Sequence, residues 1–337
     1  MSLAPFLHQV SAGADLTAEQ AHDAMLLLLE GGVHDALIAA FLVALRMKGE
    51  TASELAGFAR AMRERMVVVD AGPDVIDIVG TGGDGAGTFN ISTVAALVLA
   101  GAGLPVAKHG NRAISGKVGS ADVLEALGVR IAMTPEEAAR AVREIGLGFL
   151  FAPHLHPAMK NVQGVRRELK MRTVFNLLGP LVNPARAQIQ VIGAPSTGFA
   201  RVMADALSQL GTGHALVVHG RDGLDEVSTS GASDVFEVWT GRVEPQVWMP
   251  EDFGIALASL AALAGGDAAD NARMTLEILR GGKGARRDIV LVNAAAGLLV
   301  AGRAKDPRSA LLSAAESIDS GRALTVLKKL QKQFAAG

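Results

Sequence analysis

Short apolar segments that alternate with helical segments after residue 75 restrict this chain to few folds. Such short apolar runs are typical of buried strands, and this alternation is typical of a mainly parallel sheet covered by helices. A capping box at Thr134–Glu137 and a cap at Ser120 mark two of the intervening helices. The predicted strands are Val75–Val79, Leu104–Ala107, Gly148–Phe151, Ile189–Ile192 and Ala215–His219.

The first seventy residues contain no predicted strand. Capping boxes at Thr17–Gln20 and Thr51–Glu54 start two helices, and a third helix lies between them at 34–48. Three successive helices favour a separate helical domain, which we place at residues 1–70. The basic, helical segment 161–180 interrupts the strand rhythm and is expected to join that domain.

Residues 71–160 and 185–337 are predicted to form a larger α/β domain. Late in this part, the segments 235–238 and 242–248 flank Thr240-Gly241 and predict an antiparallel hairpin, after which the chain is largely helical. The predicted fold class is therefore α/β, with a small N-terminal helical domain and a larger domain built on a central, mainly parallel sheet covered by helices.

Composition fits an enzyme of this build. At 337 residues the chain exceeds what one hydrophobic core comfortably covers, and half of its residues are hydrophobic. A net charge of −2 gives no electrostatic reason to expect a nucleic-acid or membrane partner. Cysteine is absent, which excludes disulfides and thiolate metal sites. Neither a secretory leader nor a long apolar run is evident, so we expect a cytoplasmic protein.

A glycine-rich turn at 80–88 follows the first predicted strand and is typical of an anion-binding loop. A Walker A loop is excluded because Ala86 stands where lysine is required. The dinucleotide pattern is formally present at 80–85, but it requires an acidic residue at the end of the next strand. That position holds the cationic run 108–112, so an anion loop that carries its own acid, Asp84, is favoured.

Polar and charged clusters follow three strands, at the edge of a parallel sheet where ligands bind. The run 108–112 and the segment 115–122 supply cations and a helix start, which suit a ligand with several phosphates. Asp225 and Glu226 follow the strand that ends at His219, and adjacent carboxylates near phosphates are typical of a Mg²⁺ site. Each cluster alone has an ordinary structural explanation, but their joint occurrence at successive strand ends favours a ligand site.

These runs resemble the anthranilate phosphoribosyltransferases over essentially the whole chain. The resemblance implies a nucleoside phosphorylase/phosphoribosyltransferase-like fold, homodimers through the helical domain and two Mg²⁺ per active site. It also implies transfer of the phosphoribosyl group of 5-phosphoribosyl 1-diphosphate to the amine of anthranilate, which gives N-(5-phosphoribosyl)anthranilate and diphosphate in tryptophan biosynthesis. The motifs that carry it are Gly-Thr-Gly-Gly-Asp-Gly at 80–85, Asn-Ile-Ser-Thr at 90–93, Lys-His-Gly-Asn-Arg at 108–112, Gly-Ser-Ala-Asp at 119–122, the segments 151–160, 166–169 and 172–184, and Asp225-Glu226.

The resemblance further implies roles for single residues, none of them covalent. The residues expected to bind phosphoribosyl diphosphate are Gly80, Gly83, Asp84, Thr88, Asn90, Ser92, Thr93, Lys108, Asn111, Arg112 and Ser120. The residues expected to bind anthranilate or lie near it are Gly80, His109, Asn111, His154, Met159 and Arg166. The implied Mg²⁺ ligands are Ser92, Asp225 and Glu226.

One departure from the family pattern lies in the loop after the second predicted strand. Ala113 and Gly116 stand where the family commonly has hydroxyl side chains. Two donors are therefore missing, and the loop is expected to be more mobile.

Two alternative functions compete with this one. A pyrimidine nucleoside phosphorylase would use phosphate in place of a magnesium-bound diphosphate, which leaves Asp225 and Glu226 without a role. A non-catalytic nucleic-acid-binding paralogue should show a basic face and a degraded acidic pair, whereas the net charge is −2 and the pair is intact.

Overall fold

The computed structural model describes residues 2–82, 84–113 and 118–335 of the chain. The strands in this part of the chain are β1 (Ile76–Gly80), β2 (Val106–Gly110), β3 (Leu147–Phe151), β4 (Ile189–Gly193), β5 (His214–Gly220), β6 (Ser233–Trp239) and β7 (Arg242–Trp248). They form one sheet in the order β3-β2-β1-β4-β5-β6-β7. The first five strands pair in parallel, and β6 and β7 each run antiparallel to the preceding strand. The mainly parallel sheet and the late hairpin are thereby confirmed.

The second strand differs from its prediction at the carboxyl end. Lys108 and His109 pair with Phe149 and Leu150 of β3, so they lie within β2 and do not follow it. The sequence prediction ended the strand at Ala107 because a lysine and a histidine rarely lie in a fully buried strand. Both side chains are nevertheless buried, and the polar groups described below surround them.

The helices confirm the expected helical beginning and end of the chain. The capping boxes at Thr17, Thr51 and Thr134 are all present. The α-helices of the described residues are α1 (Ala4–Ser11), α2 (Ala18–Glu30), α3 (Asp35–Lys48), α4 (Ala52–Arg65), α5 (Ile91–Gly101), α6 (Ser120–Ala126), α7 (Pro135–Ile145), α8 (Ala152–Leu155), α9 (Lys160–Leu169), α10 (Val174–Leu178), α11 (Thr197–Gln209), α12 (Ala268–Leu279), α13 (Ala285–Val300), α14 (Pro307–Asp319) and α15 (Arg322–Gln333). Short 3₁₀ helices cover Pro157–Met159, Gly179–Val182, Pro250–Phe253 and Leu260–Leu263.

The predicted cap of α6 at Ser120 was wrong. Gly119 is the N-cap residue, and its N–H donates to Asp122 Oδ2 at 2.8 Å. Asp122 therefore reaches back to the start of the helix, as the acidic member of a capping box does, and Ser120 is the first helical residue. The serine hydroxyl instead donates to the carbonyl oxygen of Asn111 at 3.4 Å.

The helices divide between two hydrophobic cores on the two faces of the sheet. On one face α5 packs against β1 and is covered by α13 and α15. On the other face α11 lies against β5 and β6 and packs on α4, so the N-terminal helices share a core with the sheet. Helices α9 and α10 return to pack against α3. Within the described residues, no helix combines the length and the apolar character that a bilayer crossing requires.

Candidate active site

Asp225 lies between the carboxyl ends of β1 and β4, where the chain has glycine on both strands. Its Oδ2 atom accepts hydrogen bonds from the N–H of Gly82 at 2.7 Å and from the Thr81 hydroxyl at 3.4 Å. A Cβ atom on Gly80 would collide with the Asp225 carboxylate, and one on Gly193 would overlap the Asp225 backbone carbonyl. The two glycines therefore make room for one carboxylate at the point where the strand order changes direction, which is the expected ligand site of an open α/β sheet.

Glu226 is held at the N-terminus of α5. Its Oε1 atom accepts a hydrogen bond from the Ser92 N–H at 3.2 Å, so the carboxylate meets an otherwise unpaired donor at the positive end of the helix. Burial raises the pKa of Glu226 well above its ordinary value, and the charge of Asp225 adds to this effect. Burial and the nearby Asp84 likewise raise the pKa of Asp225 to about 6.

These acidic groups suit a hard cation. Carboxylate and hydroxyl oxygens from Asp225, Glu226 and Ser92 are the donor type that Mg²⁺ prefers, and repulsion between the buried carboxylates would be relieved by a cation. Among the described residues, no three acidic or histidine side chains come together as a self-sufficient metal site. A cation here would need further ligands from a substrate, as is usual for Mg²⁺ at phosphate sites.

Lys108 brings a positive charge into the same region from β2. Its side chain is only 1 % exposed, and Nζ donates to the carbonyl oxygen of Ile78 at 2.6 Å and to the Ser92 hydroxyl at 3.4 Å. Burial lowers the pKa of Lys108, while Asp77 and Glu226 act in the opposite direction. The lysine therefore lies within the electrostatic influence of Glu226 and of a third buried carboxylate, on β1.

The third carboxylate, Asp77, is not among the site residues predicted from the sequence. It is fully buried, and burial raises its pKa to about 6. Its Oδ1 accepts the backbone N–H of His109 at 3.2 Å, and its Oδ2 accepts the Asn183 amide at 2.7 Å. The Asn183 amide also donates to the carbonyl oxygen of Ala107 at 2.8 Å. Hydrogen bonds with Asp77 and Asn183 therefore hold the carboxyl end of β2 in place.

His109 faces His156, which belongs to the segment 154–159 expected near anthranilate but is not among the single residues predicted for the site. The ring centroids are 5.1 Å apart, and His109 Nδ1 lies 3.2 Å from the carbonyl oxygen of Gly179. Burial lowers the pKa of His109 to about 3 and that of His156 to about 4, so both rings are neutral at pH 7. His154, the predicted neighbour of anthranilate, is exposed and packs edge-on against Phe151 with centroids 5.2 Å apart.

The loop that follows β2 carries Asn111 and Arg112, whose contacts are with the protein itself. Arg112 donates to both oxygens of Glu125, at 2.6 and 2.8 Å, and to Asp122 at 3.0 Å. The Asn111 side chain accepts the N–H of Arg112 at 2.8 Å. Arg112 thus forms ion pairs on the surface in this structure, where such pairs contribute little to stability.

Two arginines belong to the segment that follows β3. Arg166 on α9 lies over the ring of Phe175 at 5.0 Å, and burial lowers its pKa. Met159 lies one residue before that helix. Arg172 Nη2 donates to the carbonyl oxygen of Gly82 at 2.9 Å and so joins this segment to the glycine loop. The sequence reasoning used Arg172 only as part of a motif and gave it no role.

The remaining predicted residues lie around the start of α5. Thr88 pairs with Ala264 in an isolated antiparallel bridge, and Asn90 is the N-cap residue of α5. Thr93 is buried, and its hydroxyl has no hydrogen-bond partner among the described residues. The predictions for Gly83 and for the Ser115-Gly116 loop lie outside the described residues.

Comparison with family models defines the class. Residues 72–324 match the model described as "Glycosyl transferase family, a/b domain", and residues 4–66 match "Glycosyl transferase family, helical bundle domain". With the acidic pair at the glycine loop of a mainly parallel sheet, these matches define a two-domain glycosyl transferase.

Known relatives narrow the class to one family. The chain is 53 % identical to the anthranilate phosphoribosyltransferase of Solibacter usitatus, over 100 % of this chain and 99 % of that protein. The crystal structure of anthranilate phosphoribosyltransferase from Thermus thermophilus has a TM-score of 0.91 and 43 % identity, over 98 % of this chain and 99 % of that one. The enzyme from Saccharomyces cerevisiae in complex with PRPP and Mg has a TM-score of 0.89 and 29 % identity, over 98 % of both chains.

The chain belongs to the anthranilate phosphoribosyltransferase family. The predicted fold class, the enzyme class and the transfer of a phosphoribosyl group to anthranilate are thereby confirmed, and neither alternative function is supported.

Proposed function

We propose that the residues around Asp225 and Glu226 bind the diphosphate group of phosphoribosyl diphosphate. The observation that carries this proposal is the convergence of two carboxylates, the Ser92 hydroxyl and Lys108 at the end of the glycine loop. Ser92, Asp225 and Glu226 would hold Mg²⁺, with two ions per site. The metal would neutralise the leaving diphosphate. The resemblance to the yeast complex with PRPP and Mg supports this assignment.

We assign the remaining substrate contacts by the same reasoning. Lys108, Asn111, Arg112 and Ser120 would hold the phosphate and ribose, and Arg112 must then exchange its ion pairs for substrate. Gly80, Asn111, Arg166, His109, His154 and Met159 would surround anthranilate. Arginine suits the anthranilate carboxylate because its planar fork donates two parallel hydrogen bonds. The amine of anthranilate is neutral at pH 7 and needs no strong base, which agrees with a His109 that stays neutral.

We further propose that the helical domain, 1–70 with 161–180, forms a homodimer. Helix α3 presents exposed Leu37, Ala40 and Met47 along one face, and Met47 is 82 % exposed. An apolar stripe of this kind is typical of a protein interface. The cytoplasmic location and a place in tryptophan biosynthesis stay predictions.

The acidic pair provides the test of this function. Loss of anthranilate fluorescence with phosphoribosyl diphosphate should require Mg²⁺ in the unaltered protein. Asp225→Asn with Glu226→Gln should lower kcat at least a hundredfold, because the metal ligands lose their charge, while the melting temperature stays equal or rises as buried repulsion is removed.

The matched control is a second adjacent acidic pair, Glu251→Gln with Asp252→Asn, whose residues are exposed in the 3₁₀ helix Pro250–Phe253. This control should keep its full rate. Anthranilate consumption that is independent of Mg²⁺, or an unchanged rate in the Asp225 and Glu226 variant, would contradict the proposal.

A further inference from the structure

Residues 263–271, far along the chain, pack against the end of the glycine loop. The N–H of Phe89 donates to the carbonyl oxygen of Leu263 at 3.2 Å, and the N–H of Gly265 donates to that of Gly87 at 2.9 Å. A Cβ atom on Gly265 would lie 2.8 Å from the backbone of Phe89, so the two segments are in close contact. The exit of the glycine loop is thus paired with residues that no substrate-binding motif includes.

Asn271 extends this pairing to a side chain. It lies on α12, is 2 % exposed, and its Nδ2 donates to Asn90 Oδ1 at 3.0 Å. Asn90 Nδ2 in turn donates to the carbonyl oxygen of Val118 at 3.1 Å. Because Asn90 uses its amide in this way, it makes no side-chain cap for α5, although it is the N-cap residue.

The direction of these two amides is determined at one end. The N–H of Gly266 donates to Asn271 Oδ1 at 2.8 Å, and a backbone N–H can only donate. Asn271 must therefore turn its NH₂ group toward Asn90, which leaves Asn90 with its oxygen toward Asn271. The NH₂ group of Asn90 then points to the Val118 carbonyl, two residues before Ser120, and its second hydrogen remains available for another acceptor.

We propose that Asn271 is a positioning residue, which orients the Asn90 amide so that its NH₂ group serves both the 118–120 segment and the bound phosphoribosyl diphosphate. This inference rests on the proposed substrate role of Asn90. Asn271 itself touches no substrate and acts only through Asn90. Because the Asn90 amide is held in one orientation before the substrate binds, binding does not have to select that orientation from two.

Asn271→Asp tests the orientation without removing volume. The carboxylate still accepts the Gly266 N–H, but it places an oxygen against Asn90 Oδ1, which turns the Asn90 amide and sets its oxygen against the carbonyl of Val118. Titration calorimetry with phosphoribosyl diphosphate and Mg²⁺ should show a Kd about tenfold weaker, with the KM for anthranilate within about twofold of the original value.

The control is Thr275→Val, which removes a buried hydroxyl that donates to the Asn271 backbone carbonyl at 2.8 Å. It disturbs the same turn of α12 but not the Asn271 amide, so the Kd should stay within about twofold of the original value. A comparable loss of affinity in Thr275→Val would show that only the stability of α12 matters and would overturn the inference.

A double-mutant cycle separates positioning from general damage. In an Asn90→Ala background, Asn271→Asp should cause no further loss of affinity, because its route to the substrate has been removed. A full additional tenfold loss there, or no loss in the single variant, would overturn the proposal. If Asn271→Asp does not fold, Asn271→Ser provides the same cycle.

The proposed function can fail separately from this inference. Absence of anthranilate consumption by the unaltered protein would contradict the function, whereas the affinity cycle is measured by calorimetry without turnover. The ¹H–¹⁵N signals of the Asn90 side chain, assigned from the Asn90→Ala protein, should shift in Asn271→Asp and stay in place in Thr275→Val. An unshifted pair of signals in Asn271→Asp would show that the Asn90 amide has not turned.

Discussion

Two histidines at the edge of the site are neutral because they are buried. The ring of His109 faces that of His156, so a charge on either ring would be desolvated, and charges on both rings would repel each other. Behind them, Asp77 has the opposite behaviour, since burial favours its protonated form. Residues of this kind make stability depend on pH even before a substrate binds.

The histidine pair should make the protein less stable in acid. The pKa of each ring falls from 6.5 to about 3 for His109 and about 4 for His156, so the unfolded chain binds protons that the folded chain does not. Their contribution to the free energy of unfolding is complete above pH 6.5 and is lost as the pH falls toward 4. The raised pKa values of Asp77, Asp225 and Glu226 act in the opposite direction and offset part of this loss in acid.

Urea unfolding of the original protein and of His156→Gln measures this effect. Between pH 7 and pH 5 the variant should lose about 2 kcal/mol less unfolding free energy than the original protein. Replacement of the exposed His8 by Gln is the control and should leave the pH dependence unchanged. Identical pH dependence in all three proteins would contradict a neutral His156.

The acidic pair, Ser92 and Lys108 were predictable because each lies in a short run whose composition is unusual. Asp77, Asn183 and Asn271 were not predictable in this way, because each acts on a partner that the fold brings close. Asn183 lies more than a hundred residues after Asp77 in the chain, and Asn271 more than a hundred and eighty after Asn90. A single polar residue within an apolar segment gives no local sign of such a partner.

At the scale of elements, apolar runs located the seven strands of the described residues, whereas polar residues misled the prediction at strand and helix ends. β2 continues through Lys108 and His109 because the Ile78 carbonyl accepts from the Lys108 ammonium and Asp77 accepts from the His109 N–H. The start of α6 is set by Asp122 and Gly119, not by Ser120. Tertiary hydrogen bonds decide such ends, and local propensity does not contain them.

The spacing between β4 and the turn that carries Asp225 gives a prediction at this scale. Gly193→Ala places a methyl group onto the backbone carbonyl of Asp225, where no side chain can move aside. The unfolding free energy should fall by about 3 kcal/mol, and the Mg²⁺-dependent rate should fall with it because Asp225 is displaced.

Gly198→Ala, near the start of α11, is the matched control, since the nearest atom to the added methyl group outside the helix backbone would be the Ser196 hydroxyl at 3.9 Å. Alanine is favoured over glycine in a helix, so this variant should be as stable as the original or slightly more stable. If Gly193→Ala is as stable and as active as Gly198→Ala, then β4 and the turn that carries Asp225 can move apart without loss of unfolding free energy, which would contradict the prediction.

At the scale of the whole molecule, the helical domain carries both the predicted anthranilate residue Arg166 and the exposed face of α3. The original protein is expected to be a dimer by light scattering, and Met47→Glu with Leu37→Glu should give a monomer because charge on the apolar face opposes association. Leu312→Glu on α14, where leucine is 69 % exposed, is the control and should stay dimeric. A monomeric original protein would contradict the proposed interface.

The return of α9 and α10 to the N-terminal helices has a consequence for synthesis on the ribosome. Helices α1–α4 leave the ribosome early, yet α9 and α10, which contribute to the same core, are encoded about a hundred residues later. Translation proceeds at about 5–20 residues per second, so for roughly ten seconds after α4 is made, Phe175 and its neighbours are still missing from the core of the first four helices. The interval in which these helices lack part of their core is therefore set by the speed of translation, and slower translation between α4 and α10 lengthens it.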